Sequence, residues 1–546
     1  MERIEPVRIA KSFLDGEKNI SGKDYENAGQ LKKISAASTY NYGPSYTQAA
    51  LSDIPAVHDL GLDGTGVIIG ILDTGFRWKS HPALSGRIVL NERDFVQGDM
   101  ITENQPGDAF SQDSHGTAVF SIMAGLQSGS LIGPAFNANF ILAKTENVSS
   151  ETHAEEDNYA AALEWMEAQG VQITSSSLGY NEFDAPQTSY TFADMNGNTS
   201  IVAKALNHAF DLGVSTFTAA GNERGNNWNH IISPADAFKV IAVGSVTSAN
   251  LISSFSSPGP TSDGRIKPEI AAMGSSDYHA LTGGGYGTGS GTSYATPIAA
   301  GIAGLLKSAW PHLNNQQIRN IFLESGDNSS SPNNDRGYGL ISAKKAVSFP
   351  NMSLSNNIFK INKIFIDLNT VNTSSVQINY KIGSGSFQTA SMAYDGYIKF
   401  NFQLPSAANG TSIEFYFTYQ NNIGAVRDPA GSNNYKLVYG NLNINNLTAV
   451  DNIDELPSKF NLSQNYPNPF NPETIVNFDV PYTSRVSLKI YDLLGREVAS
   501  LFDEVKQPGS YKASISALKL GLSSGVYFYS LKSDRYAVTK KMVLIK

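Results

Sequence analysis

The chain has 546 residues, too many for one hydrophobic core, so two to four domains are expected. It contains no cysteine, which excludes a thiol nucleophile, thiolate zinc sites and a disulfide framework. The formal net charge of -9 is spread along the chain, which suits solubility and lacks the basic stripe that nucleic-acid binding leaves.

No apolar run approaches the ~18 residues of a membrane-spanning helix, and the best candidate, 298–306, is interrupted by glycine and reads as a buried helix. The first residues, MERIEPVRIAKSFLDGEK, are charged rather than basic and then apolar, so an exported form is expected to have lost its leader ahead of them.

Residues 1–40 are polar and weakly patterned. A glycine-rich turn at 61–66 then leads into Val67-Ile68-Ile69-Gly70-Ile71-Leu72, a continuous apolar run of the kind a strand shows when both faces of its sheet are covered. Asp73-Thr74-Gly75 follows at the C-terminal edge of that strand, where open α/β sheets place their chemistry. Strands at 140–143, 171–175, 214–220 and 240–246 alternate with helices at 157–169 and 201–212, predicting a mostly parallel sheet covered by helices. Between them, 181–199 reads as a polar insertion. Residues 293–309 carry small and apolar side chains at helical spacing and stop before Pro311; the α/β pattern ends near 348.

From there the class changes. Segments 364–368, 375–380, 394–402 and 412–419 cluster β-formers between Asn, Ser and Gly turns, which predicts a β-sandwich over 349–450. A linker is expected at 451–461. A second β unit covers 462–546, with clean alternation at 486–491, a turn at 492–495 and closing strands at 526–532 and 538–545.

Amide hydrolysis by a serine needs a base for the hydroxyl proton, an acid to orient that base, and donors for the developing oxyanion. Asp73 ends a buried strand. His115 lies in Asp113-Ser114-His115-Gly116-Thr117 before a small, apolar stretch, hence at a helix N-terminus. Ser293 lies in Gly289-Ser290-Gly291-Thr292-Ser293-Tyr294-Ala295-Thr296-Pro297, at the start of another helix, where backbone amides favour negative charge. Pro297 reads as early enough in that helix for its missing amide to have no helical partner. Asn222 follows the strand at 214–220 with its amide available as a donor. Taken singly these are ordinary: Asp-Thr-Gly occurs in many loops, serine is a preferred N-cap and asparagine a turn former.

Together and in this order, Asp-Thr-Gly, His-Gly-Thr, Ala-Ala-Gly-Asn and Gly-Thr-Ser-x-Ala-x-Pro resemble the subtilisin-like (subtilase) serine peptidases over 41–348. The resemblance implies an α/β, subtilisin-like three-layer domain with a mostly parallel sheet, followed here by two all-β, sandwich-like domains. It implies that Asp73 orients His115, that His115 is general base and then acid, that Ser293 is the nucleophile, and that Asn222 and the Ser293 amide form the oxyanion hole. It also implies that Ser177-Leu178-Gly179 pairs with an extended substrate backbone, with Glu223 at the rim and Ile232 near the floor of the primary pocket.

The chemistry so implied requires no cofactor, and a structural calcium ion stays open. The stretch 126–136 is short and without acids where the family holds calcium; Asp94, Asp99, Asp108, Asp184 and Asp194 are the carboxylates left to consider. Thr117-Ala118 stands where the family often has a second histidine, a position that looks structural. The family is made with an inhibitory propeptide. Ile4-Glu5-Pro6-Val7-Arg8 resembles the end of one, so 1–40 is expected to be a propeptide remnant or N-terminal extension, with processing within 9–45.

Leu462-Ser463-Gln464-Asn465-Tyr466-Pro467-Asn468-Pro469-Phe470-Asn471-Pro472 reads physically as a stiff, proline-locked linker. With Gly525-Val526-Tyr527-Phe528 and Lys540-Lys541-Met542-Val543-Leu544 it resembles the C-terminal sorting domain of the type IX secretion system; the alternative is a carbohydrate- or protein-binding module. The expectation is therefore a serine endopeptidase, secreted or held at the cell surface by way of the periplasm, hydrolysing extracellular proteins through an acyl-enzyme. Its partners would be polypeptide substrates, its own propeptide and the type IX machinery, with no nucleic acid and no membrane-spanning segment. A dedicated processing peptidase or an esterase using the same triad is the alternative.

Overall fold

The apolar run at 67–72 forms β1 (Ile68–Asp73), and its side chains alternate between two covered faces. Ile69 and Ile71 enter the core on one side of the sheet, Leu72 the core on the other. This structure is a computed structural model describing residues 39–446 and 460–545, apart from 397, 466, 482–483, 507–508 and 534–535. The extension expected at 1–40 and nearly all of the 451–461 linker lie outside the described residues.

In chain order the N-terminal α/β domain continues with β2 (Ile88–Asp94), α1 (Ser114–Ala124), β3 (Asn139–Lys144), α2 (His153–Ala168), β4 (Ile173–Ser176), α3 (Ile201–Asp211), β5 (Ser215–Ala219), β6 (Ile241–Val246), β7 (Ile270–Met273), β8 (Asp277–Ala280), β9 (Tyr286–Gly289), α4 (Thr292–Ala309) and α5 (Asn315–Ser325). Strands β1 to β7 form one sheet in the order β2-β3-β1-β4-β5-β6-β7, every neighbouring pair parallel. The strand order reverses about β1, so a crevice opens at its C-terminal end, where Asp73 sits.

Helices α1, α4 and α5 share one core with Ile69, Ile71, Phe140 and Leu142; α2 and α3 share the other with Leu72, Ile141 and Ala143. This is the expected three-layer arrangement. Local chemistry sets the helix starts: Thr152 and Glu155 form a capping box on α2, and Ser200 Oγ accepts the Ala203 amide on α3. Small residues let α4 lie deep in its layer. A methyl on Gly301 would come within 2.3 Å of Pro134 Cγ.

Residues 351–446 form two antiparallel sheets. One holds Asn351–Ser355, Ile358–Ile364, Lys399–Gln403 and Ala393–Tyr394; the other centres on Gln377–Ile382 and Ser412–Asn421. Phe365 bridges them, edge-on to Phe400 at 5.5 Å and to Phe417 at 5.6 Å. The strand expected at 364–368 is displaced: Asn356 and Asn357 adopt φ of 50° and 61° in the turn that joins Asn351–Ser355 to Ile358–Ile364, the strand ends at Ile364, and Leu368 is 85% exposed. The strand expected at 394–402 is two pieces split by a turn. Side chains of α5 reach this unit, Gln317 Nε2 donating to Met352 O at 2.8 Å and Asn320 Nδ2 to Ile444 O at 2.7 Å.

The C-terminal unit packs two further antiparallel sheets around Val476, Phe478, Leu488, Ile490, Leu531 and Met542. The proline-rich lead-in is part of the fold rather than a free linker. Asn465 N donates to Tyr529 Oη at 2.8 Å, Tyr529 Oη donates to Ser463 O at 2.8 Å, and Phe470 N donates to Val543 O at 2.9 Å. Strands Glu473–Val480, Glu497–Lys506 and Gly509–Ser516 were not anticipated; the middle one shows no period-2 burial for a sequence pattern to report.

Candidate active site

Asp73 is fully buried at the end of β1, and its Oδ1 accepts three hydrogen bonds: Thr74 N at 2.8 Å, Thr74 Oγ1 at 3.1 Å and His115 Nδ1 at 2.7 Å. The imidazole comes this close because residue 116 is glycine. A methyl there would stand 2.0 Å from Gly75 O and 3.2 Å from Asp73 Cβ, so only glycine lets α1 abut the strand end. Gly75 itself has φ of 135°. With Nδ1 donating to the carboxylate, Nε2 is left as the acceptor. Burial pulls the imidazole pKa down, yet the charge of Asp73 and its hydrogen bond outweigh that, and the net shift is upward from 6.5.

Ser293 is in the first turn of α4. Thr292 donates twice to Asn222 Oδ1, from N at 2.9 Å and from Oγ1 at 3.2 Å. Holding the oxygen this way leaves Nδ2 of Asn222 as the free donor beside the serine turn. Among the described residues, Ser293 Oγ makes its hydrogen bond to Ser177 O at 3.2 Å rather than to the imidazole. Free enzymes commonly show loose nucleophile–base contacts.

Pro297 corrects the sequence reading. The helix begins at Thr292, so an amide at 297 would have bonded the Ser293 carbonyl four residues back. Proline has none, and Ser177 Oγ donates to that carbonyl instead, at 2.8 Å.

Ser177, Leu178 and Gly179 follow β4 and run along the same crevice. Tyr180 N then donates to Ser233 O at 2.7 Å. Ile232 lies between this segment and the end of β5. A methyl on Gly179 would be 2.3 Å from Ile232 Cδ1, and one on Gly221 would be 3.0 Å from Ile232 Cγ1. Glu223 is half-buried and accepts from Asn226 Nδ2 within its own loop.

The carboxylates considered for calcium are committed elsewhere. Asp94 and Asp108 pair with buried Lys144 at 2.8 and 2.9 Å, Asp99 accepts Ile101 N, Asp184 accepts Glu151 N, and Asp194 caps Thr191. Among the described residues no three His, Asp or Glu groups converge as a cluster that could hold a metal ion.

Sequence reading missed Gln112, whose Nε2 donates at 2.6 Å to both Thr74 O and Glu146 O, tying the turn before α1 to the loops after β1 and β3. Its nearness to His115 in the chain was the one available signal. Tyr294, the variable position of the serine motif, was missed too; its ring meets the His115 ring edge-on at 6.2 Å.

Buried carboxylate, imidazole and a hydroxyl at a helix N-terminus, gathered at a sheet's switch point, define the class: a serine hydrolase. The Subtilase family model matches residues 64–340. Alkaline protease of Alkalihalobacillus alcalophilus is 32% identical over 312 residues, covering 57% of this chain and 70% of that protein. Subtilisin Savinase of Lederbergia lenta is 31% identical over 57% of this chain and its own whole length; serine protease AprX of Bacillus subtilis is 31% identical over 52% of this chain and 67% of its own. The chain belongs to the subtilase family and is a subtilisin-like secreted serine protease. Residues 464–546 match the secretion system C-terminal sorting domain, which implies export to a secreted or cell-surface location, and 361–428 match carbohydrate binding module family 56. No helix among the described residues is long and apolar enough to cross a membrane.

Proposed function

We propose that Ser293 attacks the scissile carbonyl while His115 Nε2 takes its proton, with Asp73 stabilising the imidazolium. The oxyanion would be held by Asn222 Nδ2 and the Ser293 amide. The C–N bond then breaks as His115 returns the proton to the leaving amine, and water, activated by the same imidazole, releases the acyl group from Ser293. The observation that supports this most is the 2.7 Å contact from His115 Nδ1 to buried Asp73, which orients a base toward the crevice. A fluorophosphonate probe is expected to label the protein, and Ser293→Ala to abolish both labelling and cleavage of unfolded protein. Labelling that survives this substitution overturns the assignment.

The substrate would lie extended along Ser177–Gly179. Ile232, packed against Gly179 and Gly221, fills the slot between the two cleft walls, which favours a small side chain at the cleaved position. Glu223, turned to Asn226, contributes little to that choice. In this reading 41–348 is the catalytic unit, 349–450 an accessory β domain and 462–546 the sorting unit. The chain passes through the periplasm to the type IX machinery, and a propeptide is removed within 9–45.

A second reading concerns the accessory domain. Its match to a carbohydrate binding module is accompanied by a shallow cavity of about 200 Å³ lined by Ser375, Gln377, Thr418, Gln420 and Arg427, hydroxyl, amide and guanidinium groups suited to sugar hydroxyls. Retention of the full chain on an insoluble polysaccharide, lost in Arg427→Ala with Gln377→Ala, is the expected result; equal retention of both forms rejects it.

A further inference from the structure

Behind the proposed general base stands an aromatic stack that the hydrolytic mechanism does not call on. Tyr294 follows the nucleophile directly in α4, and its ring meets His115 edge-on, with centroids 6.2 Å apart and an 82° interplanar angle. On its other side His279 of β8 stacks nearly parallel, at 5.2 Å and 24°. Gly289 of β9 closes the arrangement: a methyl there would fall 2.5 Å from Tyr294 Cζ and Oη, so the tyrosine reaches its place because this residue has no side chain.

The residues holding the tyrosine are poor choices for stability. His279 is 6% exposed, and its Nδ1 has no hydrogen-bond partner among the described residues. Asp277, two residues earlier on the same face of β8 and opposite Gly289 in the ladder, is fully buried, and neither carboxylate oxygen has a hydrogen-bond partner among the described residues. Buried polar groups left without partners each cost free energy, and an apolar pair would pack here at less expense. Burial accordingly pushes His279 down to about 4 and Asp277 up to about 8, so both are neutral near pH 7. An uncharged histidine presents a flat, polarisable face to a tyrosine without adding a second positive charge next to the imidazolium that forms during turnover.

His115 needs such a wall. Its one hydrogen bond among the described residues, to Asp73, fixes one nitrogen, but the side chain is 34% exposed and one contact does not define the plane of the ring. An edge-to-face aromatic neighbour does.

We propose that Tyr294, backed by His279 and admitted by Gly289, is a positioning residue that holds the His115 ring in the plane in which Nε2 faces the Ser293 hydroxyl. The inference rests on His115 being the general base.

The test uses the full chain. Tyr294→Phe keeps the ring and is expected to stay within twofold of the parent kcat. Tyr294→Leu is expected to lower kcat five- to twentyfold at unchanged KM, with the rate of fluorophosphonate labelling falling in parallel, since that reaction needs the base but no bound peptide. Gly289→Ala, which displaces the tyrosine while leaving it in the sequence, is expected to reproduce the loss. A Tyr294→Leu protein that unfolds at the parent temperature and keeps parent kcat and labelling rate overturns the proposal. If Tyr294→Leu does not fold, Gly289→Ala decides in the same way. Full activity in Ser293→Ala would instead overturn the triad itself, so the two failures are distinct.

Discussion

Ser177 and Ser293 are tied to each other twice: Ser177 Oγ donates to the Ser293 carbonyl at 2.8 Å, and Ser293 Oγ donates to the Ser177 carbonyl at 3.2 Å. The first bond exists because Pro297 cannot supply the helical amide that would otherwise take that carbonyl. The segment proposed to bind substrate is thereby fastened to the turn that carries the hydroxyl.

Ser177→Ala is expected to leave the Ser293 carbonyl without its partner, at about 1–3 kcal/mol. Thermal unfolding should show the loss, and kcat should fall by up to about tenfold as the serine turn loosens. An unchanged melting temperature would show that water replaces the hydroxyl.

His115 must be neutral to act as a base, and Asp73 keeps it protonated to a pH above its ordinary 6.5. The acid limb of kcat/KM is therefore expected above pH 6.5, rates rising as pH climbs through it. The same raised pKa stabilises the fold fully below the unfolded value, and that contribution is lost as pH rises through the folded one. Asp73→Asn should move the limb to lower pH and cut kcat by about 10⁴-fold, as the same change does in a serine protease triad. Stopped initial-rate profiles between about pH 5 and 9 read both.

Asn222→Ala removes one of two proposed oxyanion donors. In subtilisin the equivalent loss is about 10²–10³ in kcat, and a similar drop at little-changed KM is expected here. A proportional rise in KM instead would place Asn222 in ground-state binding.

Ile232→Gly should open the slot between Gly179 and Gly221. In a peptide library the ratio of cleavage after Phe to cleavage after Ala is expected to rise about tenfold or more, since even one methylene in a pocket is worth about 1–3 kcal/mol. A profile that does not move would place the primary pocket elsewhere.

Glu146 is 7% exposed, and burial raises its pKa to about 8 against the pull of hydrogen bonds from Tyr180 and Thr145. Its folded form binds a proton that the unfolded chain releases near pH 4.5, so stability falls as pH rises from about 4.5 to about 8 and levels off beyond. Glu146→Gln should flatten that slope by up to a few kcal/mol, measured as urea midpoints at pH 5 and pH 9.

Much of the catalytic domain was legible in the chain because its strands are covered on both faces. The run at 67–72 has one physical use, and the glycines beside Asp73, His115 and Ser293 mark close approaches of backbone. The β domains were read less well. Their strands are half-exposed, the turn at Asn356-Asn357 leads into a strand at 358–364 rather than the 364–368 that the apolar pattern suggested, and 497–506 pairs through backbone groups whose side chains carry no alternation.

The sequence by itself determined the order and local setting of Asp73, His115, Asn222 and Ser293, since each depends on short-range chemistry: a strand end, a helix start, a glycine turn. Only the tertiary structure decided how they are held. The bond that Pro297 frees for Ser177, the slot that Ile232 fills between two glycines, and the ring that Tyr294 sets against His115 all join residues distant in the chain. Such contacts depend on how layers pack, and no local pattern encodes them.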